Sequence, residues 1–320
     1  PPRSTLFPYT TLFRSFFSKL GRASTEMVRI LHFGDSQIEG DRISSVVREE
    51  FQKRTGGIGP GIVPLKLSYG SLSIVVKTSP NWVYHTFLYS CDSIKQSIPW
   101  ALNGNAFYYQ NSDNQLLAEK LLEKANIRFK ISRIAYPEAR NFETFRFFYS
   151  SLPEDLPMVL QYGNHVIFDT LKASEKLQVY TKGFSEKTKE IKLSFFGNSS
   201  PVVYAASLEG NKGIVLDNLP IRGSSGLEFT KFNKLVNTEL LQNLNPALVI
   251  VQFGVNVVQN LTSSYLFYEN SLYRQLVFLK KTLPHASFLL VGLSDMAKNS
   301  GGTMESYPNI ELIKQAQQNA

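Results

Sequence analysis

Apolar and polar positions at the start of the chain predict a strand, a turn and a helix. Residues 27–33 (MVRILHF) form a short apolar run of the kind found in buried strands. A helical pattern follows this run, and the glycine-rich residues 56–61 end it. This helical pattern covers residues 36–54, and its apolar positions are Ile38, Ile43, Val46, Val47 and Phe51.

The same succession of an apolar strand pattern and a helical pattern returns after residue 213. Apolar runs at 213–219, 247–253 and 286–293 predict strands. Helical patterns at 227–244, 264–283 and 308–319 follow them in turn. Alternation of strands and helices at this spacing predicts an α/β fold, with a parallel sheet and helices on both of its faces.

Residues 62–212 have a different pattern, because apolar and polar positions alternate there and aromatic residues are dense. Runs separated by Asn, Gly, Pro and Ser predict strands at 73–77, 107–110, 128–135, 144–149, 177–181 and 191–196. Residues 114–126 predict either a helix or an irregular excursion. We expect an antiparallel, β-sandwich-like insertion that interrupts the α/β fold.

The two ends of the chain differ from the rest. Residues 1–15 (PPRSTLFPYTTLFRS) resemble a translated sequencing-adapter read, so we expect them to be an artefact and exclude them from the fold. We divide the remainder into a first core part at 16–61, the insertion at 62–212 and a second core part at 213–320. The last residues stop inside a helix-like stretch, and we expect this second part to be truncated.

Composition narrows the classes of function. The chain of 320 residues is 43% hydrophobic and 19% charged, which is typical of a globular protein. Its formal net charge of +8 comes from scattered basic residues, a pattern that disfavours a nucleic-acid partner. The single cysteine, Cys91, excludes an internal disulfide framework and a Cys-rich zinc site. No apolar run approaches the ~20 residues of a membrane span.

Candidate chemistry begins at Gly34-Asp35-Ser36-Gln37, where the first strand meets the first helix. Open parallel sheets bind their ligands at the carboxyl ends of the strands. A serine at that turn exposes its hydroxyl, and its backbone N–H lies at a helix N-terminus that favours negative charge. The alternative is a helix cap formed by Asp35 and Ser36 without catalytic function.

Two later segments strengthen the catalytic interpretation. Gly223 in LPIRGSSG follows the second core strand and can offer a backbone N–H, and Asn256 in FGVN follows the third and can offer a side-chain amide. With the N–H of Ser36 they supply three donors for a tetrahedral oxyanion, and one such donor contributes about 10²–10³ in rate. Taken singly, Gly223 is typical of a turn and Asn256 of a strand-end cap.

These segments resemble the SGNH (GDSL-type) serine hydrolases. Ser36 matches the nucleophile block of that family, Gly223 the oxyanion glycine and Asn256 the oxyanion asparagine. The resemblance implies a flavodoxin-like core and a carboxylic ester hydrolase with Ser36 as its nucleophile. It assigns the oxyanion hole to Ser36, Gly223 and Asn256 and a supporting role to Asp35, and it implies no cofactor and no metal.

The sequences of these motifs are similar to those of two-part family members from Bacteroidetes-type bacteria. Those proteins carry a β-rich module inside the hydrolase domain and are associated with O-deacetylation of polysaccharide or peptidoglycan. The resemblance therefore implies an O-acetylesterase, an acetylated carbohydrate as substrate, and a periplasmic, outer-surface or secreted location.

Two features depart from the family pattern. Val257 follows Asn256 where an acidic residue is usual, and no Asp-x-x-His block is present. None of the four histidines, His32, His85, His165 and His285, lies beyond the fourth core strand. A serine hydroxyl without a base is a weak nucleophile. We therefore expect the general base to lie beyond residue 320 and this chain to show little turnover.

Other functions remain open at this point. One alternative is a carbohydrate-binding or surface scaffold protein with a relic hydrolase core, and another is an O-acetyltransferase on the same core. Aromatic residues of the insertion can stack on sugar rings, although most aromatic residues in a β-sandwich belong to its core. These candidates are Trp82, Tyr84, Tyr89, Trp100, Tyr108 and Tyr109.

Overall fold

The computed structural model describes residues 13–67, 69–110 and 123–320. The strands are β1 (Met27–Gly34), β2 (Gly61–Val63), β3 (Ile74–Thr78), β4 (Trp82–Thr86), β5 (Asn105–Tyr109), β6 (Ala125–Ile131), β7 (Phe142–Ser150), β8 (Leu156–Tyr162), β9 (His165–Leu171), β10 (Gln178–Thr188), β11 (Glu190–Phe195), β12 (Val202–Glu209), β13 (Gly213–Pro220), β14 (Leu248–Gln252), β15 (Ser287–Val291), β16 (Ala297–Ser300) and β17 (Thr303–Ser306). The helices are α1 (Arg14–Leu20), α2 (Ser44–Thr55), α3 (Asp92–Ser97), α4 (Lys234–Leu244), α5 (Leu266–Thr282) and α6 (Ile310–Asn319). Short 3₁₀ helices cover Ser36–Asp41, Pro137–Arg140 and Phe229–Lys231.

A four-stranded parallel sheet has the order β13-β1-β14-β15. Alternate residues of β1 face opposite sides: Leu31 and Phe33 pack with α4 and α5, whereas Val28 and Ile30 pack with α1 and part of α2. Helices therefore cover both faces, because each face of a buried parallel strand is apolar. The predicted α/β class with a parallel sheet is confirmed.

Two antiparallel sheets are formed by the middle of the chain. One has the order β10-β7-β12-β5-β4, with β2 paired to β12, and the other has the order β3-β6-β11-β8-β9. Apolar side chains from both sheets, among them Phe145 and Phe129, meet in one buried cluster. Two sheets packed over a shared core form the sandwich that alternating patterns predict.

The six-stranded sheet also buries its other face. Phe148 and Tyr204 on that face share a buried cluster with Leu31 and Phe33 of the parallel sheet and with Leu240 of α4. One continuous apolar core thus joins the sandwich to the α/β part. The division of the chain into domains at 16–61, 62–212 and 213–320 stays a prediction.

The single helix predicted over residues 36–54 is wrong. The segment forms a 3₁₀ turn, leaves helical geometry at Glu39 and Gly40, and begins α2 only at Ser44. Gly40 has a φ of +68° and lies so close to the carbonyl oxygen of Gly70 that a side chain would meet it at 2.9 Å. The insertion therefore contacts the chain here, and the helix cannot run through this point.

The face that α2 buries also differs from the prediction. Ile43 and Val46 are exposed, whereas Arg48 is buried and its guanidinium contacts Asp41 Oδ2 at 2.7 Å and the Leu216 carbonyl at 2.8 Å. Asp41 also accepts a hydrogen bond from Ser73 at the start of β3. A buried ion pair with satisfied hydrogen bonds thus replaces apolar packing at this junction.

Other differences lie at element ends. The helix predicted from residue 227 begins at Lys234, because Asn233 caps it by accepting a hydrogen bond from Val236 N at 3.1 Å. The β16–β17 hairpin was not predicted from the sequence. Residues 1–12, which include most of the presumed adapter segment, and residues 111–122, which include most of the ambiguous 114–126, lie outside the described residues.

Candidate active site

The carboxyl ends of three parallel strands lie in one row. Gly34 at the end of β1 pairs with Pro220 of β13 on one side and with Gln252 of β14 on the other. The loops that carry Ser36, Gly223 and Asn256 all leave the sheet directly after this row. The structure thus places the three predicted residues at the same edge of the sheet, where such sheets bind ligands.

Asp35 fixes the turn that presents Ser36. Its side chain is fully buried, and Oδ1 accepts the backbone N–H of Gln37 at 2.9 Å. Burial raises the pKa of the Asp35 carboxyl, and the nearby Glu39 raises it further. Ser36 itself is half-buried, and its carbonyl accepts a hydrogen bond from Arg42 Nη2 at 2.7 Å. The cap expected of Asp35 is therefore present, and Ser36 stands at the start of a helical turn.

Gly223 occupies a backbone conformation that favours glycine. Its φ is +78°, and an added Cβ would stand 2.5 Å from the hydroxyl oxygen of Tyr89. The turn around it is closed by a bond from Ser224 N to the Ile221 carbonyl at 3.1 Å. Ile221 N in turn donates to the Gly34 carbonyl at 2.7 Å, which ties this turn to the end of β1. The left-handed geometry and the closeness of Tyr89 both require glycine here.

Asn256 reaches the Gly223 turn through its side chain. Its Nδ2 donates to the carbonyl oxygen of Ser224, the residue after Gly223, at 2.8 Å. An amide group carries two N–H bonds, so a second donor is available to a ligand. The structure therefore brings Gly223 and Asn256 together, and one amide hydrogen also holds the loop in place.

Two supporting residues were missed at the sequence level. Glu228 is buried, accepts hydrogen bonds from the Ser224 hydroxyl and from Leu227 N, and so closes the loop after Gly223. Gln317 of α6 is buried behind the Asn256 loop, where it donates to the Phe253 carbonyl at 2.7 Å and accepts from Leu293 N at 2.8 Å. No sequence motif marks Glu228, although its partners lie within its own loop, and Gln317 was missed because its partners lie far away along the chain.

The contacts of the four histidines do not include Ser36. His32 is buried between Ser44 Oγ, at 2.9 Å from Nδ1, and Gln252 Oε1, at 3.0 Å from Nε2. Burial lowers its pKa, although the bond to Gln252 opposes this. His85 contacts the Tyr108 hydroxyl, His165 stacks on Tyr162, and His285 is exposed. Val257, in the position where an acid is usual, is buried among apolar side chains.

A cavity of about 510 Å³ is lined in part by Ile221 and Arg222, the two residues before Gly223. Tyr89 is 67% exposed at its edge, and Tyr84 and His85 line it as well. Of the other aromatic candidates for sugar stacking, Trp100 and Tyr109 are only 2% and 3% exposed and belong to the core. The cavity has the size and the mixture of aromatic and polar lining found in ligand sites.

The described part of the chain shows neither a metal-ligand cluster nor a membrane-spanning helix. No three His, Cys, Asp or Glu side chains come together there as metal ligands do. Within the same residues, no helix combines the length and the apolar character needed to cross a membrane.

Comparison with known proteins identifies the fold. No protein-family model and no curated protein sequence matches the chain. A solved structure of a peptidoglycan O-acetylesterase matches with a TM-score of 0.71 and 19% identity, over 95% of this chain and 79% of that protein. At this identity the match shows a shared fold, and it extends over nearly the whole chain.

Two other solved structures are similar to a smaller degree. A family two carbohydrate esterase from Cellvibrio japonicus aligns with 77% of this chain and 85% of its own, at 10% identity and a TM-score of 0.26. A family 29 carbohydrate-binding module aligns with 48% of this chain and 91% of its own, at 9% identity and a TM-score of 0.29. TM-scores this low carry no argument about the present chain.

Proposed function

We propose that the protein is a serine ester hydrolase of the SGNH (GDSL-type) family that removes acyl groups, acetyl above all, from a carbohydrate such as peptidoglycan. The fold shared with a peptidoglycan O-acetylesterase over 95% of the chain supports this proposal. The observation that carries it is the bond from Asn256 to the Ser224 carbonyl, next to Gly223, on the sheet edge that also carries Ser36.

In the proposed reaction the Ser36 hydroxyl attacks the ester carbonyl. The carbonyl oxygen becomes an oxyanion that accepts hydrogen bonds from Ser36 N, Gly223 N and Asn256 Nδ2. Collapse of this intermediate releases the sugar hydroxyl and leaves an acyl-serine, which water then hydrolyses. Preorganised donors of this kind are usually the largest electrostatic contribution to acyl transfer.

The proton of Ser36 needs an acceptor during this attack. Since His32 is held between Ser44 and Gln252, and no contact links the other three histidines to Ser36, we assign the general base to a histidine outside these 320 residues. The 320-residue chain is then expected to bind substrate but to turn over little. An exported location, at the periplasm or the outer surface, is part of the same proposal because cell-envelope glycans lie there.

The proposal is tested by labelling with a fluorophosphonate probe, which reacts with activated serines. A chain extended at its C-terminus to include an Asp-x-x-His block should be labelled on Ser36, as located by peptide mass spectrometry. Ser36→Ala should abolish the label, whereas Ser294→Ala should keep it, since Ser294 is an exposed hydroxyl that contacts Gln37 at 3.2 Å.

The same experiment separates the alternatives. A folded, extended chain without label, or an extension without an Asp-x-x-His block, would contradict the hydrolase and favour a carbohydrate-binding relic. A labelled protein that passes acetyl to a sugar acceptor faster than to water would instead be an O-acetyltransferase.

A further inference from the structure

A second cavity shares one lining residue, Arg222, with the cavity that Tyr89 borders. We call the first, of about 510 Å³ and bordered by Tyr89, the Tyr89 cavity, and the second, of about 530 Å³ and bordered by Tyr69, the Tyr69 cavity. Arg222 lines both of them. The two cavities therefore meet at Arg222, the residue before Gly223, and together we call them the cleft.

Each half of the cleft exposes one tyrosine. Tyr69 is 57% exposed and Tyr89 is 67% exposed, although aromatic side chains of this size are usually buried. Each tyrosine contacts one of the two residues Arg222 and Gly223. The Arg222 guanidinium stands 4.2 Å from the centre of the Tyr69 ring, and the Tyr89 hydroxyl lies against Gly223. More than half of each tyrosine is thus exposed, Tyr69 beside Arg222 and Tyr89 beside Gly223.

Arg222 is held in place as the divider of the cleft. Its Nε donates to Glu39 Oε1 at 2.9 Å, and its Nη2 pairs with the second oxygen of the same carboxylate. This two-point pair fixes the plane of the guanidinium. The Glu39 pair also raises the pKa of Arg222, so the side chain remains a cation where the two cavities meet.

The polar groups of the cleft are of the kind that bind sugar hydroxyls. Asn103 and Asn105 line the Tyr89 cavity, and Glu39, Arg42 and Ser71 line the Tyr69 cavity. A pyranose ring has apolar faces that pack on aromatic rings and hydroxyl groups that pair with amides, carboxylates and guanidinium groups. The lining fits saccharide units in both halves better than a purely apolar ligand.

We propose that this cleft binds a linear glycan chain across the candidate catalytic residues, with sugar units on Tyr69 on one side of the ester and on Tyr89 on the other. The inference rests on the proposed function and narrows it: the substrate is a polymer that is deacylated within the chain, rather than an acylated monosaccharide. Tyr69 and Tyr89 are then the residues that determine specificity for chain length.

The test measures the affinity of the 320-residue chain for chitobiose, chitotetraose, xylobiose and xylotetraose by isothermal titration calorimetry. The two series separate a backbone of acetylated amino sugars from a plant-type backbone. In at least one series the tetrasaccharide should bind about tenfold or more tightly than the disaccharide. Tyr69→Ala and Tyr89→Ala should each weaken tetrasaccharide binding by about fivefold or more.

Tyr273→Ala is the matched control, because Tyr273 is 55% exposed on α5 and lines neither cavity. It should bind the tetrasaccharides as the unchanged chain does, and all three variants should keep the unfolding temperature. The proposal would be contradicted if the affinity for saccharides did not depend on their length in either series. It would also be contradicted if Tyr69→Ala bound the tetrasaccharides as tightly as the unchanged chain does. Fluorophosphonate labelling of Ser36 in the C-terminally extended chain reports separately on the proposed function. Labelling without length-dependent binding would contradict the proposed cleft alone, and length-dependent binding without labelling would contradict the hydrolase alone.

Discussion

Gly223 has a backbone conformation that favours glycine, and its N–H is one of the proposed oxyanion donors. Its φ is +78°, and the absence of a side chain leaves room for the Tyr89 hydroxyl. Asn256 then fixes the same turn from the neighbouring loop. A small change in this backbone should therefore move one of the proposed oxyanion donors.

Gly223→Ala is expected to lower esterase activity by about 10²-fold, because it displaces one proposed donor. Activity on p-nitrophenyl acetate, measured in a chain extended to include the base, checks this. Gly163→Ala is the matched control, since Gly163 also has a positive φ, of +51°, but nothing lies within 4 Å of an added Cβ. Both changes should cost about 1–2 kcal/mol of stability. Full activity of Gly223→Ala would contradict the role of this N–H.

His32 gives the free energy of unfolding a predictable dependence on pH. Burial holds the pKa of His32 below its ordinary value of 6.5 in the folded protein, so the unfolded chain takes up the proton first. Its contribution to the free energy of unfolding should therefore decrease as the pH falls from about 6.5 toward the folded-state pKa. Above that window the His32 contribution is constant.

Urea unfolding at about pH 7.5 and about pH 5.5 measures this effect. His32→Gln should reduce the loss of stability between the two pH values, whatever its effect at either one. His285→Gln, which changes an exposed histidine, should leave the loss unchanged. An equal loss in His32→Gln and the unchanged chain would show that His32 does not titrate as the structure requires.

At the scale of elements, buried charges join the parallel sheet to the insertion. Arg29 of β1 pairs with Asp217 of β13, at 2.6 Å between Nη1 and Oδ2, and with Glu209 of β12. Asp217 also accepts the backbone N–H of Ile62, which lies in β2, at 2.8 Å. These side chains are at most 3% exposed, so each charge depends on its partner.

Arg29→Met should lower the free energy of unfolding by about 3–5 kcal/mol, because it leaves the buried Asp217 carboxylate without its cation and leaves Glu209 with only the longer contact to Arg146, at 3.8 Å. Arg54→Met is the control: Arg54 pairs with Glu50 across solvent-exposed side chains, and its loss should change stability by less than about 1 kcal/mol. Denaturant unfolding of both variants at neutral pH checks the difference. Similar small effects in both variants would contradict the role assigned to the buried network.

The elements of the parallel sheet could be predicted because their strands are continuous apolar runs. The strand predicted at 247–253 is observed as Leu248–Gln252, and that at 286–293 as Ser287–Val291. The prediction of one helix over residues 36–54 failed for two physical reasons. The chain leaves helical geometry at Glu39 and Gly40. In addition, Arg48 is buried through its ion pair with Asp41, and a pattern of apolar residues cannot reveal a buried polar face.

The candidate site was predictable only in part. Ser36, Gly223 and Asn256 stand in short motifs at strand ends, and their proximity follows from the parallel order of the strands. Their catalytic roles stay predictions. Arg222 acts through Glu39, which only the folded chain brings close, whereas Glu228 contacts Ser224 within its own loop, and no sequence motif marks that contact.

For the whole molecule, the shared core explains how a β-rich insertion can shape the site. Phe148 and Tyr204 of the insertion are buried in the same cluster as Phe33 at the end of β1. The loop that carries Tyr89 follows β4 of the same six-stranded sheet, and so reaches Gly223 from a fixed position. The insertion therefore forms one wall of the proposed cleft.

The central claim is that Ser36, Gly223 and Asn256 together bind one developing oxyanion. A crystal structure of the C-terminally extended chain after reaction with a fluorophosphonate tests it most directly, since the phosphoryl oxygen then stands where the oxyanion forms. The account predicts phosphorus bonded to Ser36 Oγ, with that oxygen at about 2.7–3.2 Å from Ser36 N, Gly223 N and Asn256 Nδ2. An oxygen beyond about 4 Å from Gly223 N or Asn256 Nδ2, or phosphorus on another residue, would contradict it.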